Sequence, residues 1–316
     1  MTALLEVQLG PLWLKNPILT ASGTFGYGLE FMDFVELSHL GGICTKGLSL
    51  KPHAGNAPPR ICETPAGMLN AIGLQNVGVE VFLREKLPKL KALDATVIAN
   101  VWGDLEKDYV TVVRALEDAE GLAALELNIS CPNVERGGML FGNSPTATAS
   151  LVARVRKATR RPLIVKLSPN APDLIESARA AHESGADILS LVNTFVGMAI
   201  DPETARPRLS FGTGGLSGPA IKPLAVRMVF QVARALPGVP LMGIGGISEL
   251  ADVLEFLAAG ATAVQVGTAN FKDPGVSGRL VKELSEYCAR QETRLSSLIG
   301  RAHRLQTKAD DAGAEG

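Results

Sequence analysis

The sequence predicts an α/β fold, a (β/α)8 barrel, on two observations. Eight short runs of apolar and β-branched residues alternate with longer amphipathic segments, which is typical of parallel strands joined by crossover helices. Polar or glycine residues follow almost every run. An open sheet of six or seven strands is the alternative to a closed barrel. The predicted strands are Pro17–Ala21, Gly42–Lys46, Thr96–Val101, Ala124–Ile129, Leu163–Leu167, Ile188–Val192, Leu241–Ile244 and Ala263–Val266.

The segments between the strands complete the predicted architecture. Before the first strand, alternating apolar residues around Gly10-Pro11 indicate a small N-terminal β-hairpin that closes the bottom of the barrel. Two long stretches rich in Gly and Pro, Gly47–Val77 and Thr194–Pro219, are predicted to be active-site loops. Residues 1–307 are predicted to form one domain and residues 308–316 a disordered tail. Amphipathic helices are predicted at Asp104–Ala119, Ser144–Thr159, Pro172–Ser184, Pro219–Leu236 and Glu249–Ala259.

Composition excludes several classes of function. The 31 basic and 32 acidic residues give a net charge of -1, so no basic excess is available to bind a nucleic-acid backbone. No apolar stretch reaches the roughly 18 residues of a membrane span, and the first residues do not read as a secretory signal. The four cysteines are widely spaced, which argues against a disulfide scaffold, a zinc site or an iron–sulfur cluster on this chain. We expect a cytoplasmic protein.

The residues at the strand ends carry the strongest signal of function. Active sites of (β/α)8 barrels lie at the carboxyl ends of the strands, and turn chemistry alone does not explain polar or glycine residues at all eight ends. These end residues are Ser22, Lys46, Asn100, Asn128 with Cys131, Lys166, Asn193 with Thr194, Gly245 with Gly246, and Gly267 with Thr268.

The last two strand ends predict a phosphate site. Glycine-rich loops after strands seven and eight expose backbone N–H groups, as phosphate-binding barrels do, although such glycines can also serve only to make tight turns. Neither loop matches a dinucleotide or P-loop pattern, which favours a mononucleotide-like cofactor. Lys46 and Lys166 each end an apolar run and are expected to face anions rather than solvent. The side chains of Asn70, Asn100, Asn128 and Asn193 suit a flat ring with alternating C=O and N–H groups.

Cys131 is the candidate reactive group. A single cysteine is most often a small core residue, and that reading suffices for Cys44 and Cys62. Cys131 instead follows a strand end, in a polar run before proline, and this placement suits a reactive thiolate. The sequence has no G-x-S-x-G elbow, and its four histidines lack the spacing of a metal site.

These motifs resemble the class 1 dihydroorotate dehydrogenases, especially the class 1B catalytic subunit, from about Leu5 to Phe271. The matching stretches are Ala21-Ser-Gly-Thr-Phe-Gly-Tyr-Gly, Gly67-Met-Leu-Asn-Ala-Ile-Gly-Leu-Gln-Asn, Glu126-Leu-Asn-Ile-Ser-Cys-Pro-Asn, Val165-Lys-Leu-Ser-Pro-Asn, Gly214-Gly-Leu-Ser-Gly-Pro-Ala-Ile-Lys-Pro and Val266-Gly-Thr-Ala-Asn-Phe. The resemblance implies an FMN-containing barrel that oxidises (S)-dihydroorotate to orotate in pyrimidine biosynthesis. The class 2 enzymes carry serine at the position of Cys131.

The resemblance also implies residue roles. Cys131 would remove the C5 proton while a hydride leaves C6 for flavin N5. The implied substrate-binding residues are Lys46, Asn70, Ala71, Ile72, Gly73, Leu74, Asn128, Asn193 and Thr194. The implied FMN-binding residues are Ser22, Lys46, Gly47, Asn100, Asn128, Lys166, Val192, Gly218, Gly245, Gly246, Gly267 and Thr268.

Electrons must leave the flavin, and the resemblance to class 1B implies a route. A partner subunit with FAD and a [2Fe–2S] cluster would pass them to NAD, in a heterotetramer built on a homodimer of this chain. The alternatives are a class 1A enzyme that uses fumarate, a dihydropyrimidine dehydrogenase-like flavoprotein, a non-catalytic FMN-binding scaffold, and a flavin-free isomerase or aldolase barrel.

Overall fold

The computed structural model describes residues 5–130 and 141–305. Cys131 and the tail predicted at residues 308–316 lie outside these ranges. Within them the strands are, in chain order, β1 (Val7–Leu9), β2 (Leu12–Leu14), β3 (Ile18–Thr20), β4 (Gly42–Cys44), β5 (Ile61–Thr64), β6 (Gly67–Asn70), β7 (Val97–Val101), β8 (Leu122–Asn128), β9 (Leu163–Lys166), β10 (Ile188–Leu191), β11 (Phe195–Met198), β12 (Ile200–Asp201), β13 (Arg206–Pro207), β14 (Thr213–Ser217), β15 (Leu241–Ile244) and β16 (Ala263–Val266).

The helices of the same ranges cover the outside of the sheet. They are α1 (Val79–Val81), α2 (Leu87–Ala92), α3 (Glu106–Leu116), α4 (Pro145–Arg156), α5 (Leu174–Glu183), α6 (Lys222–Ala235), α7 (Leu250–Ala258), α8 (Ala269–Lys272), α9 (Val276–Arg290) and α10 (Leu295–Leu298). A π-helical stretch, Phe82–Lys86, joins α1 to α2. Side-chain caps fix the residue at which some helices begin. At the first turn of α5 the Asp173 carboxylate accepts a hydrogen bond from the Glu176 N–H (3.0 Å).

Eight parallel strands close into a barrel in the order β3-β4-β7-β8-β9-β10-β15-β16, with β16 paired back to β3. The predicted (β/α)8 barrel is therefore confirmed, and the open sheet is wrong. Each predicted strand agrees with the structure to within two residues at either end. These strands are buried on both faces, which explains why they read as continuous apolar runs rather than as alternating ones.

The predicted N-terminal hairpin is confirmed as the pair β1 and β2. Its turn lies against the bottom of the barrel: a Cβ atom added at Gly10 would be 3.2 Å from Ile188 Cγ1 and 3.3 Å from the Asp187 carbonyl oxygen. Ile188 begins β10, so the hairpin packs at the amino-terminal end of the strands. The opposite end is left for the long connections.

The two long stretches predicted as loops contain an unpredicted antiparallel sheet. Strands β5 and β6 come from the first stretch and β11 and β14 from the second, and they pair in the order β11-β14-β6-β5. Glycine, which disfavours strands, is the first residue of β6 and occupies two of the five positions of β14. The pair β6–β14 also joins segments about 145 residues apart, as the hydrogen bond from Asn70 to the Gly215 carbonyl illustrates. Neither feature produces a local sequence signal.

Besides the four-residue helices α8 and α10, two longer helical segments were absent from the sequence prediction. One runs through α1, the π-helical stretch and α2, and the other is α9, whose buried face includes Leu280 and Leu284. The predicted helix Pro219–Leu236 begins with a 3-10 turn, Pro219–Ile221, before α6. Among the described residues, no helix is both long enough and apolar enough to cross a membrane.

The barrel strands and the surrounding helices pack so closely that one added methyl group should lower the stability of the fold. Gly243 in β15 faces α7, and a Cβ atom there would clash with Cδ1 of Phe256 and lie 3.0 Å from its Cγ. We expect Gly243→Ala to lower the free energy of unfolding by about 1–3 kcal/mol through overpacking. Urea denaturation followed by circular dichroism measures this loss.

Phe256→Leu provides the control, because it removes the ring that the new methyl group would strike. We expect the loss in the double variant to be smaller than the sum of the two single losses by about 1 kcal/mol or more. Strict additivity would contradict the proposed clash.

Candidate active site

One cavity of about 460 Å³ lies at the carboxyl ends of the barrel strands. All eight strand ends contribute to its lining, and the antiparallel sheet covers one side. Nineteen of the predicted site residues lie in the described ranges, and all of them line this cavity; their individual roles remain predictions. They are Ser22, Lys46, Gly47, Asn70, Ala71, Ile72, Gly73, Leu74, Asn100, Asn128, Lys166, Val192, Asn193, Thr194, Gly218, Gly245, Gly246, Gly267 and Thr268.

Cys131, the twentieth predicted residue, lies outside the described residues. Its neighbour Ser130 lines the cavity, and the Ser130 hydroxyl donates a hydrogen bond to the Lys166 carbonyl oxygen (3.2 Å). The chain therefore leaves β8 along the wall of the cavity.

A pair of cations faces one part of the cavity. Lys46 is half-buried, and its pKa is lowered first by burial and then by the nearby Arg60 guanidinium, with a smaller opposing effect from Glu30. Arg60 was not predicted; it lies in the Gly/Pro-rich stretch and donates a hydrogen bond to Gln75 Oε1 (2.9 Å). Two positive charges close enough for one to lower the pKa of the other favour a bound anion between them.

Lys166 is the second predicted lysine and is only 4% exposed. Its ammonium donates a hydrogen bond to the Ser22 hydroxyl (3.3 Å) and makes no ion pair with a carboxylate of the described residues. An ammonium this deeply buried is costly without a compensating negative charge. The arrangement therefore favours a ligand that carries or gains negative charge.

Side-chain amides form the part of the wall between the lysines. Asn193 Nδ2 donates to Asn128 Oδ1 (3.1 Å), and Asn193 Oδ1 accepts from the Thr194 N–H (2.8 Å). Asn70 Nδ2 donates to the Gly215 carbonyl (3.3 Å). Because Asn128 Oδ1 is already occupied, the NH2 group of Asn128 is the one left to donate to a ligand. Asn170, also in the lining and not predicted, donates to the Thr194 carbonyl (3.0 Å).

The far end of the cavity is built from backbone. Gly245 and Gly246 have φ values of 132° and 72°, and a Cβ atom at Gly246 would lie 2.8 Å from the Gly218 carbonyl oxygen. The Thr268 hydroxyl donates to the Ser217 hydroxyl (2.8 Å), which joins the loop after β16 to the end of β14. Only glycine allows the two loops to approach this closely, and such backbone clusters suit a phosphate group.

Fold and cavity together define a (β/α)8 barrel whose mouth suits a flat, anionic ligand with a phosphate at one end. The sequence model of the dihydroorotate dehydrogenase family matches residues 4–288, and the chain belongs to that family. This confirms the resemblance found in the sequence motifs.

Three curated relatives indicate which members of the family this chain is similar to. A protein of Trichlorobacter lovleyi is 54% identical over 301 residues, covering 95% of this chain and 99% of the relative. One from Geobacter sulfurreducens is 55% identical over 285 residues, covering 90% and 93%. A third, from Geobacter sp. strain M21, is 53% identical over 297 residues, covering 94% and 97%. All three are named dihydroorotate dehydrogenase B (NAD(+)), catalytic subunit.

A buried carboxylate holds the loop between β15 and α7, next to the glycine-rich end of the cavity. Asp252 in α7 accepts hydrogen bonds from the N–H groups of Ser248 (2.8 Å) and Glu249 (2.9 Å) and from the Lys222 ammonium (2.7 Å). Burial alone would raise the pKa of Asp252, but these hydrogen bonds outweigh it and the pKa lies below its ordinary value of 3.8. The stabilisation is therefore complete above that value and is lost as the pH falls through the lower pKa of the folded protein.

We expect Asp252→Asn to lower the free energy of unfolding at pH 7 by about 1–3 kcal/mol, because donors are left unpaired. The difference between wild type and variant should shrink as the pH falls below 3.8. Urea unfolding at several pH values measures both. Glu255→Gln is the matched control: Glu255 pairs with the same lysine (2.9 Å) but is half exposed, so its loss should cost less than about 0.5 kcal/mol. A difference that does not depend on pH would contradict this account of Asp252.

Proposed function

We propose that this chain is the FMN-containing catalytic subunit of an NAD-linked, class 1B dihydroorotate dehydrogenase, which oxidises (S)-dihydroorotate to orotate in pyrimidine biosynthesis. One observation carries the proposal: the residues that the resemblance assigns to flavin and substrate come from all eight strand ends and, in the described ranges, line a single cavity. The names of the relatives support the NAD-linked class over the fumarate-dependent one.

The cavity fits FMN on three counts. Asn100 Oδ1 is buried and has no hydrogen-bond partner among the described residues, so it is ready to accept from a ring N–H group. A Cβ atom at Gly47 would lie 3.1 Å from that oxygen and 3.1 Å from Trp102 Cδ1, in the space a flat ring needs. The backbone around Gly246 and Gly267 supplies the phosphate end.

When bound, FMN supplies the acceptor for the hydride that leaves C6 of dihydroorotate. Lys46 and Arg60 bind the substrate carboxylate, which gives their facing positive charges a counter-ion. The amide groups of Asn128 and Asn193 hold the edge of the pyrimidine ring. Lys166 holds its positive charge where it stabilises negative charge gained by the cofactor ring.

Cys131 is proposed as the base. Its thiolate takes the C5 proton as the C5=C6 double bond forms, and the hydride leaves C6, so one proton and one hydride account for the two hydrogens lost. A thiol has an ordinary pKa near ~8.5, much closer to neutral pH than that of a serine hydroxyl. The position of Ser130 on the cavity wall supports this assignment, since Cys131 is the next residue.

We propose that the electrons leave through a partner subunit with FAD and a [2Fe–2S] cluster, in a heterotetramer built on a homodimer of this chain. The relatives are named as catalytic subunits, which supports a partner subunit. Exposed apolar side chains line the mouth of the cavity, at Val196 (55% exposed), Phe211 (41%) and Phe271 (54%). Exposed apolar groups around a site commonly mark a surface that another protein covers.

An anaerobic absorbance titration of the purified chain, replete with FMN, tests the function. We expect dihydroorotate to bleach the flavin band, and neither NAD nor fumarate to restore it without the partner subunit. Recovery with fumarate would instead assign the chain to class 1A. Bleaching by dihydrothymine but not by dihydroorotate would indicate a dihydropyrimidine dehydrogenase-like enzyme, and a folded protein that binds no flavin would end the proposal.

The role of Cys131 is tested by Cys131→Ala. We expect bound FMN to be retained and the rate of flavin reduction by dihydroorotate to fall roughly 10²–10⁴-fold, the usual contribution of a positioned base. Anaerobic stopped-flow absorbance measures the rate. Cys62→Ala is the matched control, because Cys62 is a partly buried thiol outside the cavity lining. In this variant we expect dihydroorotate to reduce the flavin at the wild-type rate. Equal rates in both variants would overturn the assignment of the base.

A further inference from the structure

A polar layer crosses the interior of the barrel directly below the cavity. Its centre is Glu126 of β8, which is fully buried. Glu126 Oε1 accepts hydrogen bonds from Asn100 Nδ2 (2.8 Å) and Cys44 Sγ (3.1 Å), and Oε2 accepts from Ser190 Oγ (3.0 Å) and Gln265 Nε2 (2.8 Å). These five side chains, from five strands, are called the Glu126 hub. Neither the sequence analysis nor the proposed mechanism gives the carboxylate of Glu126 a role.

Burying the Glu126 hub costs folding free energy, so its presence requires a physical explanation. The interiors of (β/α)8 barrels are usually packed with branched apolar side chains. A buried carboxylate is tolerated when hydrogen bonds and an opposite charge compensate its desolvation. Four donors supply the hydrogen bonds here, but none of the four carries a charge.

Lys166 is the buried opposite charge. It pairs in register with Asn128, two residues after Glu126 on β8, so it lies one interior position above Glu126 on the neighbouring strand β9. Adjacent strands are about 4.8 Å apart and two residues rise about 6.6 Å, which places the two side chains within strong electrostatic range. Both act on the thiol of Cys44: burial raises its pKa most, the charge of Glu126 raises it further, and that of Lys166 lowers it.

The hydrogen bonds of the hub keep the two charges apart. Each of the two carboxylate oxygens already accepts two hydrogen bonds. The Lys166 ammonium therefore does not bind to them and donates instead to the Ser22 hydroxyl. The ammonium thus remains available to the cavity, while its charge is balanced from below.

We propose that Glu126 is the counter-charge of Lys166: it is a positioning residue that compensates the charge of the buried ammonium and directs it into the cavity, and it lowers the electron affinity of the cofactor held above. The first part concerns only this chain. The second part rests on the proposed FMN-dependent function.

Glu126→Gln removes the charge and preserves the shape. The NH2 group of the new glutamine can be satisfied if Gln265 turns its amide, because Gln265 Oε1 is buried and has no partner among the described residues. The fold should therefore survive this substitution. Cys44→Ala is the matched structural control, since it removes one hydrogen bond of the hub and leaves both charges in place.

The first experiment uses the apo-protein, so it does not depend on the proposed function. The midpoints of urea unfolding are compared for wild type, Glu126→Gln, Lys166→Met and the double variant. Each single variant leaves one buried charge uncompensated, so we expect the double variant to unfold at a higher urea concentration than the summed shifts of the single variants predict. If only the double variant folds, the coupling is supported more strongly. Additive shifts, or a double variant that fails to fold, would overturn the counter-charge.

The second experiment measures the midpoint potential of bound FMN with reference dyes under anaerobic conditions. Removing a negative charge favours the reduced, more negative form, so we expect a higher potential in Glu126→Gln and an unchanged one in Cys44→Ala. A variant that exchanges the two groups, Glu126→Gln with Gln265→Glu, keeps one carboxylate among the same donors and should return the potential towards that of wild type.

The outcomes separate the two proposals. An unchanged potential in Glu126→Gln, or equal shifts in Glu126→Gln and Cys44→Ala, overturns the effect on the cofactor while leaving the proposed function intact if dihydroorotate still bleaches the wild-type flavin. A wild-type protein that binds no FMN overturns the proposed function and this second part together. The apo-protein cycle then still decides the first part.

Discussion

The closed parallel barrel is the constraint on which the rest of the structure depends. All eight barrel strands run in one direction, so all eight carboxyl ends meet at one mouth. Closure also directs alternate side chains of every strand into the interior, where they meet those of the neighbouring strands. Residues as distant in sequence as Ser22 and Lys166 become hydrogen-bond partners for this reason. The antiparallel sheet and the N-terminal hairpin can then only cap the two ends.

The interior of this barrel is layered by charge. The upper layer, at the mouth, carries cationic and amide groups such as Lys166 and Asn128, and the layer below carries Glu126. Packing alone would be satisfied by branched apolar side chains in both layers. Burying a carboxylate and an ammonium lowers the stability of the fold. Such a loss is expected at a functional site, here the site that we propose accepts electrons next to an anionic substrate.

Much of the architecture could be predicted from sequence because its signals are local. Buried parallel strands are short apolar runs with polar ends, and all eight were located within two residues. The sheet of β5, β6, β11 and β14 could not, since its pairing is set by distant segments and glycine weakens its strand signal. Arg60 was missed with it, because its position near Lys46 follows from that sheet.

The Glu126 hub was missed although a local signal existed. Strand residues two apart point to the same side, so the residue two positions before a mouth residue lies directly below it. Applied to Ser22, Lys46, Asn128 and Gly267, this rule gives Thr20, Cys44, Glu126 and Gln265, all fully buried and all polar or thiol-bearing. Reading only the ends of the strands finds the groups that meet the ligand. The residues two positions earlier, which lie below them in the barrel, include the groups that orient these ligand-facing side chains.

The two ends of the cavity are built on different principles, and the difference fits the group that we propose each end binds. At the end proposed for the phosphate, the glycines near Gly246 fix the course of the backbone, so the Asp252 side chain that holds the loop can lie outside the cavity lining. At the end proposed for the ring, side-chain amides line the cavity, and an amide can turn to exchange its oxygen for its NH2 group with almost no change of shape. Only the surroundings decide which group faces the ligand. Glu126 sets the orientation of the Asn100 amide. A carboxylate only accepts hydrogen bonds, so the NH2 group of Asn100 faces Glu126 and its oxygen faces away.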